Sequence, residues 1–194
     1  MRRLIAEGSG EDEDADLALR QFAAQTYYDA LTKPKLPDIL VQVVCWVLGE
    51  YGYLCEGVPL SSVLERLCDT VERQFTYPRT RCWVVVALSK LVAQLGQMPE
   101  QVLEIAAKYQ SSSDVVIAKY CFELEALGEN MELMRTALPV DASCEDLEVD
   151  PNLSFLDGFV ADAVARGAQT YLTPGERPDE LHVGVPRSGN AAPA

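Results

Sequence analysis

Apolar residues return every three or four positions through most of this chain, and strand-like alternation is nearly absent. The first such run is "LALRQFAAQTYYDAL", where Leu17, Phe22, Ala24, Tyr28 and Leu31 recur at helical spacing. The acidic run "EDEDAD" precedes it, and acids in a first turn complement the helix dipole. "TKPKLP" ends that helix, because two prolines cannot continue it. Pro37 then opens a second helix, where its missing N–H costs nothing, and this helix runs to about Tyr51 and stops near Gly52. A third helix follows "GVPLSS", with Val63, Leu64, Leu67, Val71 and Phe75 on its inner face. The pattern predicts a fourth over 79–95, ended by Gly96, and a fifth from Pro99 to Tyr109. After the cap-rich loop "QSSSD" come a sixth from Val115 to about Leu127 and a short seventh, "NMELMRTAL".

These helices pair into hairpins, and the second member of each pair carries an echo. Cys45-Trp46, Cys82-Trp83 and Cys121-Phe122 place a small sulfur residue before a large aromatic, with the cysteines spaced by 37 and 39 residues. Two-helix repeats of ~40 residues are the mark of HEAT and armadillo solenoids, in which no hairpin buries its apolar face alone. The expected fold is therefore all-α, an α-solenoid of HEAT/armadillo-like hairpins with a disordered C-terminal tail. Pattern alone divides the chain into an acidic lead-in (1–14), a helical-repeat section (15–138) and an acidic linker with a short amphipathic helix (139–168). The remainder (169–194) is rich in Pro and Gly and is expected to be disordered. The linker helix, "LSFLDGFVADAVARG", sets Leu153, Leu156, Phe159, Val160 and Val164 on one side.

Charge changes the picture more than composition does. The formal net charge is −14, which argues against gripping nucleic acid or docking unaided on an anionic bilayer. Arg79 and Arg81 with Lys90 make at most a small basic patch, and a solvated helix face is the simpler reading. No run reaches the ~18 apolar residues of a membrane span, and no secretory leader is visible. Six cysteines without CxxC spacing, five of them inside helical patterns, fit reduced, buried thiols in a cytosolic protein.

Candidate chemistry is sparse. The sole histidine, His182, falls in the predicted tail, where no partner would hold it in reach. No phosphate-binding glycine loop, calcium loop or zinc spacing is present, so no cofactor and no metal are expected. "VVCWVLGEYG" offers the one Gly-Glu arrangement that resembles a catalytic loop. On a helix the same letters are structural. Gly49 admits a neighbouring helix, Gly52 suits a C-terminal cap, and Glu50 can accept N–H groups from the start of an adjacent helix. That would make Glu50 a brace between hairpins rather than a proton shuttle.

"VQVVCWVLGEYG" also resembles a segment of the adaptins, the large chains of heterotetrameric clathrin-type adaptor complexes. "LPVDASCEDLEVDPNLSFLDGFV" and "LIAEGSGEDEDAD" are similar to the epsilon class of those chains, in the fourth complex. The likeness covers roughly residues 3 to 172. It implies an α-solenoid trunk and a non-enzymatic role beside a beta-type large chain, a medium chain and a small chain. It further implies peripheral recruitment to trans-Golgi membranes by an ARF-type small GTPase, sorting of transmembrane cargo into vesicles, and operation without clathrin. The family's large chain is several times longer, so the resemblance implies a piece of the last trunk hairpins without the C-terminal appendage. The alternative is a HEAT-like binding scaffold outside vesicle coats.

Overall fold

The computed structural model describes residues 2–8, 12–140 and 150–172. Packing divides the chain into two units, Met1–Asp146 and Leu147–Ala194. The predicted tail beyond Leu172, with His182, and residues 141–149 of the predicted acidic linker, with Cys144, lie outside the described residues. Among those described the architecture is all-α, a solenoid of stacked helical hairpins.

Local chemistry sets the helix boundaries in the first unit. A short α1 (Arg2–Glu7) comes first, which the sequence pattern does not signal because one turn and a half carries no period. α2 (Glu13–Ala30) begins at Asp12, whose carboxylate accepts from the N–H of Asp14 and of Ala15, both at 3.1 Å. Glu13, Asp14 and Asp16 stand in its first turn, where acids complement the dipole, and Asp12 of the same acidic run caps it from just ahead. Prolines 37, 59 and 99 immediately precede α3 (Asp38–Tyr51), α4 (Leu60–Val71) and α6 (Glu100–Gln110). α5 (Thr80–Leu95) ends on Gly96 at φ +73°, whose N–H returns to Val92 O at 2.8 Å. Asp114 caps α7 (Val115–Gly128) through Val116 N, and Asn130 caps α8 (Met131–Ala137) through Leu133 N.

Gly52 caps the end of α3, where its N–H donates to Leu48 O, but it does so in a right-handed conformation. Its φ is −59°, so it is no left-handed cap; it opens a single 3₁₀ turn, Gly52–Leu54. Its missing side chain matters for another reason. A Cβ there would lie 3.3 Å from Leu91 Cδ2 and 3.4 Å from Val63 Cγ1.

The hairpins α2–α3, α4–α5 and α6–α7 stack so that the second helices α3, α5 and α7 lie side by side. The first helices pack outside them, α2 on α3, α4 on α5 and α6 on α7. α5 is the centre of this unit. Its buried residues (Thr80, Cys82, Val84, Val85, Ala87, Leu88, Leu91, Val92 and Ala93) cover most of its circumference, as befits a helix touched by α3, α4, α7 and α8. Burying each of its large aliphatic side chains contributes roughly 1.5–3 kcal/mol.

Two residues of the first helical run are not core. Ala24, Tyr28 and Leu31 are buried, whereas Leu17 and Phe22 are exposed. Phe22 lies two positions before Ala24, about 200° around the helix, and so faces away from α3.

In the second unit α9 (Asp157–Ala165) follows a 3₁₀ turn, Ser154–Leu156. Leu153, Leu156, Phe159, Val160 and Val164, which the pattern sets on one side, are all exposed there. No helix among the described residues is long and apolar enough to cross a membrane.

Candidate functional site

Of the residues singled out by the sequence, those on α3 and α5 lie at the junction between the first two hairpins, while Cys121 and Phe122 lie on α7. α3 and α5 are both second members, so they run parallel and meet start to start and end to end. At the start, Asp38 Oδ2 accepts from Tyr77 N at 2.7 Å and from Thr80 Oγ1 at 3.2 Å. Gln42 Nε2 donates to the same hydroxyl at 3.0 Å. In the middle, Gly49 brings the backbones together: a Cβ on it would lie 3.2 Å from Ala87 Cα. At the end, Gln94 Nε2 donates to Gly49 O at 2.8 Å, and Glu50 pairs with Lys90.

Glu50 therefore joins two hairpins, but through a different partner from the one the sequence suggested. Parallel stacking puts the end of α3 beside the end of α5, where no helix-start N–H groups are available. The ammonium of Lys90 takes their place. Glu50 is 6% exposed, so its charge depends on that partner.

Cys45, Cys82 and Cys121 are buried in α3, α5 and α7. Their aromatic companions are not equivalent. Trp46 and Trp83 are half-buried, whereas Phe122 is exposed. The half-buried ring in α7 is Tyr120, which follows Trp83 by the same 37 residues that separate Trp83 from Trp46. The cysteine keeps its place in the third helix while the ring moves to its other flank.

Burial raises these thiols. Cys45 is pushed up from about 9 to about 12 by burial, against a weaker opposing pull from Arg73. Cys121 rises to about 11 through burial, with a smaller push from Cys82. Such thiols are poor nucleophiles in the folded chain. An unfolded chain loses these protons near pH 9 while the folded chain holds them. Stability is thus fully present below pH 9 and falls as pH climbs from 9 toward 12. Urea midpoints measured at pH 7, 9 and 10 are expected to be lower at pH 10 than at pH 7, and a flat profile would contradict this.

A second set of junction residues escaped the sequence reading. Carbonyls at the ends of the first two of these first helices, α2 and α4, are capped by arginines from later elements. Arg66 Nη1 donates to Tyr28 O at 3.1 Å and lies 3.8 Å over the Tyr28 ring. Arg73 donates to Leu31 O at 2.5 Å and to Lys33 O at 3.2 Å. Arg81 donates to Val71 O at 2.9 Å and to Arg73 O at 3.0 Å, near the rings of Phe75 and Tyr109. The accepting carbonyls, 31 and 33 then 71 and 73, repeat with a 40-residue step. The donors do not, which is why no spacing reveals them.

Arg79, Arg81 and Lys90 accordingly form no shared patch, since Arg81 serves carbonyls and Lys90 serves Glu50. Arg73→Ala is expected to lower stability by about 1–3 kcal/mol, because it strips charge-assisted bonds from two carbonyls. Urea denaturation checks this; a change below about 0.5 kcal/mol would show that water replaces the guanidinium. The arrangement supplies mechanical coupling. Among the described residues no cluster of His, Cys, Asp or Glu is arranged to hold a metal ion.

No protein-family profile and no solved structure matches the chain. Curated relatives do. The AP-4 complex subunit epsilon-1 of Homo sapiens is 39% identical over 180 residues, 92% of this chain and 16% of that protein. The AP-4 complex subunit epsilon of Arabidopsis thaliana is 37% identical over 186 residues, 91% of this chain and 20% of its own length. The AP-1 complex subunit gamma-like 2 of Homo sapiens is 29% identical over 130 residues, 62% of this chain. The chain spans about a sixth of the length of the human epsilon relative.

Proposed function

Because this chain belongs to the epsilon family of AP-4 complex subunits across the stretch it shares with those relatives, we propose that it is a structural section of an adaptor-complex large subunit. The observation that carries this reading is identity spread over 92% of the chain, which includes the hairpin junctions. In this reading the section has no enzymatic role. Its stacked hairpins transmit shape, and its parent subunit assembles with beta-type large, medium and small chains. The assembled coat acts in vesicle-mediated transport from the cytoplasmic side. It sorts cargo at the trans-Golgi network, where an ARF-type GTPase recruits it peripherally.

A chimera tests the proposal. This chain replaces the matching stretch of human epsilon-1, which carries an affinity tag. Recovery of the beta-type, medium and small chains, with trans-Golgi staining, is the expected result. A folded chimera that recovers none of them would contradict it. Recovery of unrelated partners would favour a scaffold outside vesicle coats.

A further inference from the structure

The outer face of α2 and the turn that follows Gly52–Leu54 border an open groove of about 480 Å³. Ala18, Gln21, Phe22 and Gln25 form its helix wall, and Glu56 closes the other side. Gln21 Nε2 donates to Glu56 Oε1 at 2.6 Å, which ties the two walls together. Phe22 stands 70% exposed between them.

Acceptors dominate the polar groups of this groove. Both glutamines turn their N–H groups to carboxylates, Gln21 to Glu56 and Gln25 to Asp29 at 3.4 Å. The side-chain oxygen of Gln25 is buried without a hydrogen-bond donor. Such an acceptor is costly to leave unmade, and the soft last torsion of a glutamine lets it turn to an incoming donor. Among the described residues no lysine or arginine lines the groove. An aromatic face beside oxygen acceptors, in a chain of net charge −14, matches a cation. The same helix already makes such a contact, since Arg66 lies 3.8 Å over the Tyr28 ring and donates to Tyr28 O.

We propose that this groove docks an arginine carried on a basic segment of a partner protein. Its guanidinium stacks on Phe22 and donates to Glu56 and Gln25, while its aliphatic stem lies along Ala18. Planarity favours arginine over lysine, because a guanidinium covers the ring while its edge N–H groups reach the acceptors. The net charge repels nucleic acids and anionic bilayers but attracts a basic segment. The inference stands apart from the adaptor reading, since it rests on the groove alone.

The probe is the peptide acetyl-Gly-Ser-Leu-Arg-Leu-Ser-Gly-amide; its control carries citrulline, which keeps the shape of arginine without the charge. Titration of the isotope-labelled chain, followed by NMR, should shift the side-chain amides of Gln21 and Gln25 saturably. Citrulline, or Glu56→Gln at an exposed position, should weaken binding roughly tenfold or more. Phe22→Ala should weaken it roughly threefold or more. Glu104→Gln removes an exposed charge from α6 and should change it by less than about twofold. Four results would overturn the proposal. These are no saturable binding up to millimolar probe, equal affinity for the control, or a Glu104→Gln effect as large as that of Glu56→Gln. The fourth is a chain that is dimeric until Phe22→Ala makes it monomeric, which would put a second copy in the groove.

Discussion

Leu91→Ala is expected to lower the unfolding free energy by about 2–5 kcal/mol. Leu91 is fully buried in α5, against the bare backbone of Gly52. α3, α4, α7 and α8 all pack on α5, so the structure has little freedom to close over the space left behind. The loss therefore includes a cavity cost as well as the lost burial. Leu133→Ala provides the contrast. Leu133 is 53% exposed on α8, and its truncation is expected to change stability by less than about 0.5 kcal/mol. Urea denaturation of both variants checks the pair; equal effects would remove α5 from the centre of the core.

Glu50→Ala is expected to cost about 2–4 kcal/mol. The substitution leaves the Lys90 ammonium without its carboxylate at a site where its side chain is only 22% exposed. A fully buried cation would lose more, but Lys90 retains some access to water. Replacing both partners by apolar residues of similar size, Glu50→Leu with Lys90→Met, should recover much of the loss, since no charge is then stranded. If Glu50→Ala leaves the melting temperature unchanged, the pair is not a brace.

The helices of the first unit were largely legible, because proline, glycine and cap residues punctuate the apolar period. Pro37, Pro59 and Pro99 mark three starts, and Gly96 marks one end. The hairpin pairing followed from the short loops between them. Partners were harder to read. Glu50 reads as a junction residue from its burial context, but finding Lys90 requires knowing that α3 and α5 run parallel in register. The arginines on carbonyls are illegible for a related reason. Their acceptors are backbone groups, which leave no mark in the sequence, and Arg73 and Arg81 do not repeat with the hairpins. Phe122 is misleading because helical positions two apart point about 200° from each other, so a ring two places from Tyr120 faces solvent. α1 was missed because it is too short to show a period, yet Arg20 ties its end down through Ala6 O at 2.7 Å.

The account turns on one claim: α3, α5 and α7 form a continuous layer in which α5 couples the hairpins on either side. Native-state hydrogen exchange, read by mass spectrometry, tests it most directly. The amides of α5 should exchange last, only through global unfolding, and Glu50→Ala should speed exchange in α3 and α5 together. Amides of α9, whose large apolar side chains are exposed, should exchange early. If α5 exchanges no more slowly than α9, or if Glu50→Ala alters α3 alone, the hairpins do not behave as one stacked layer.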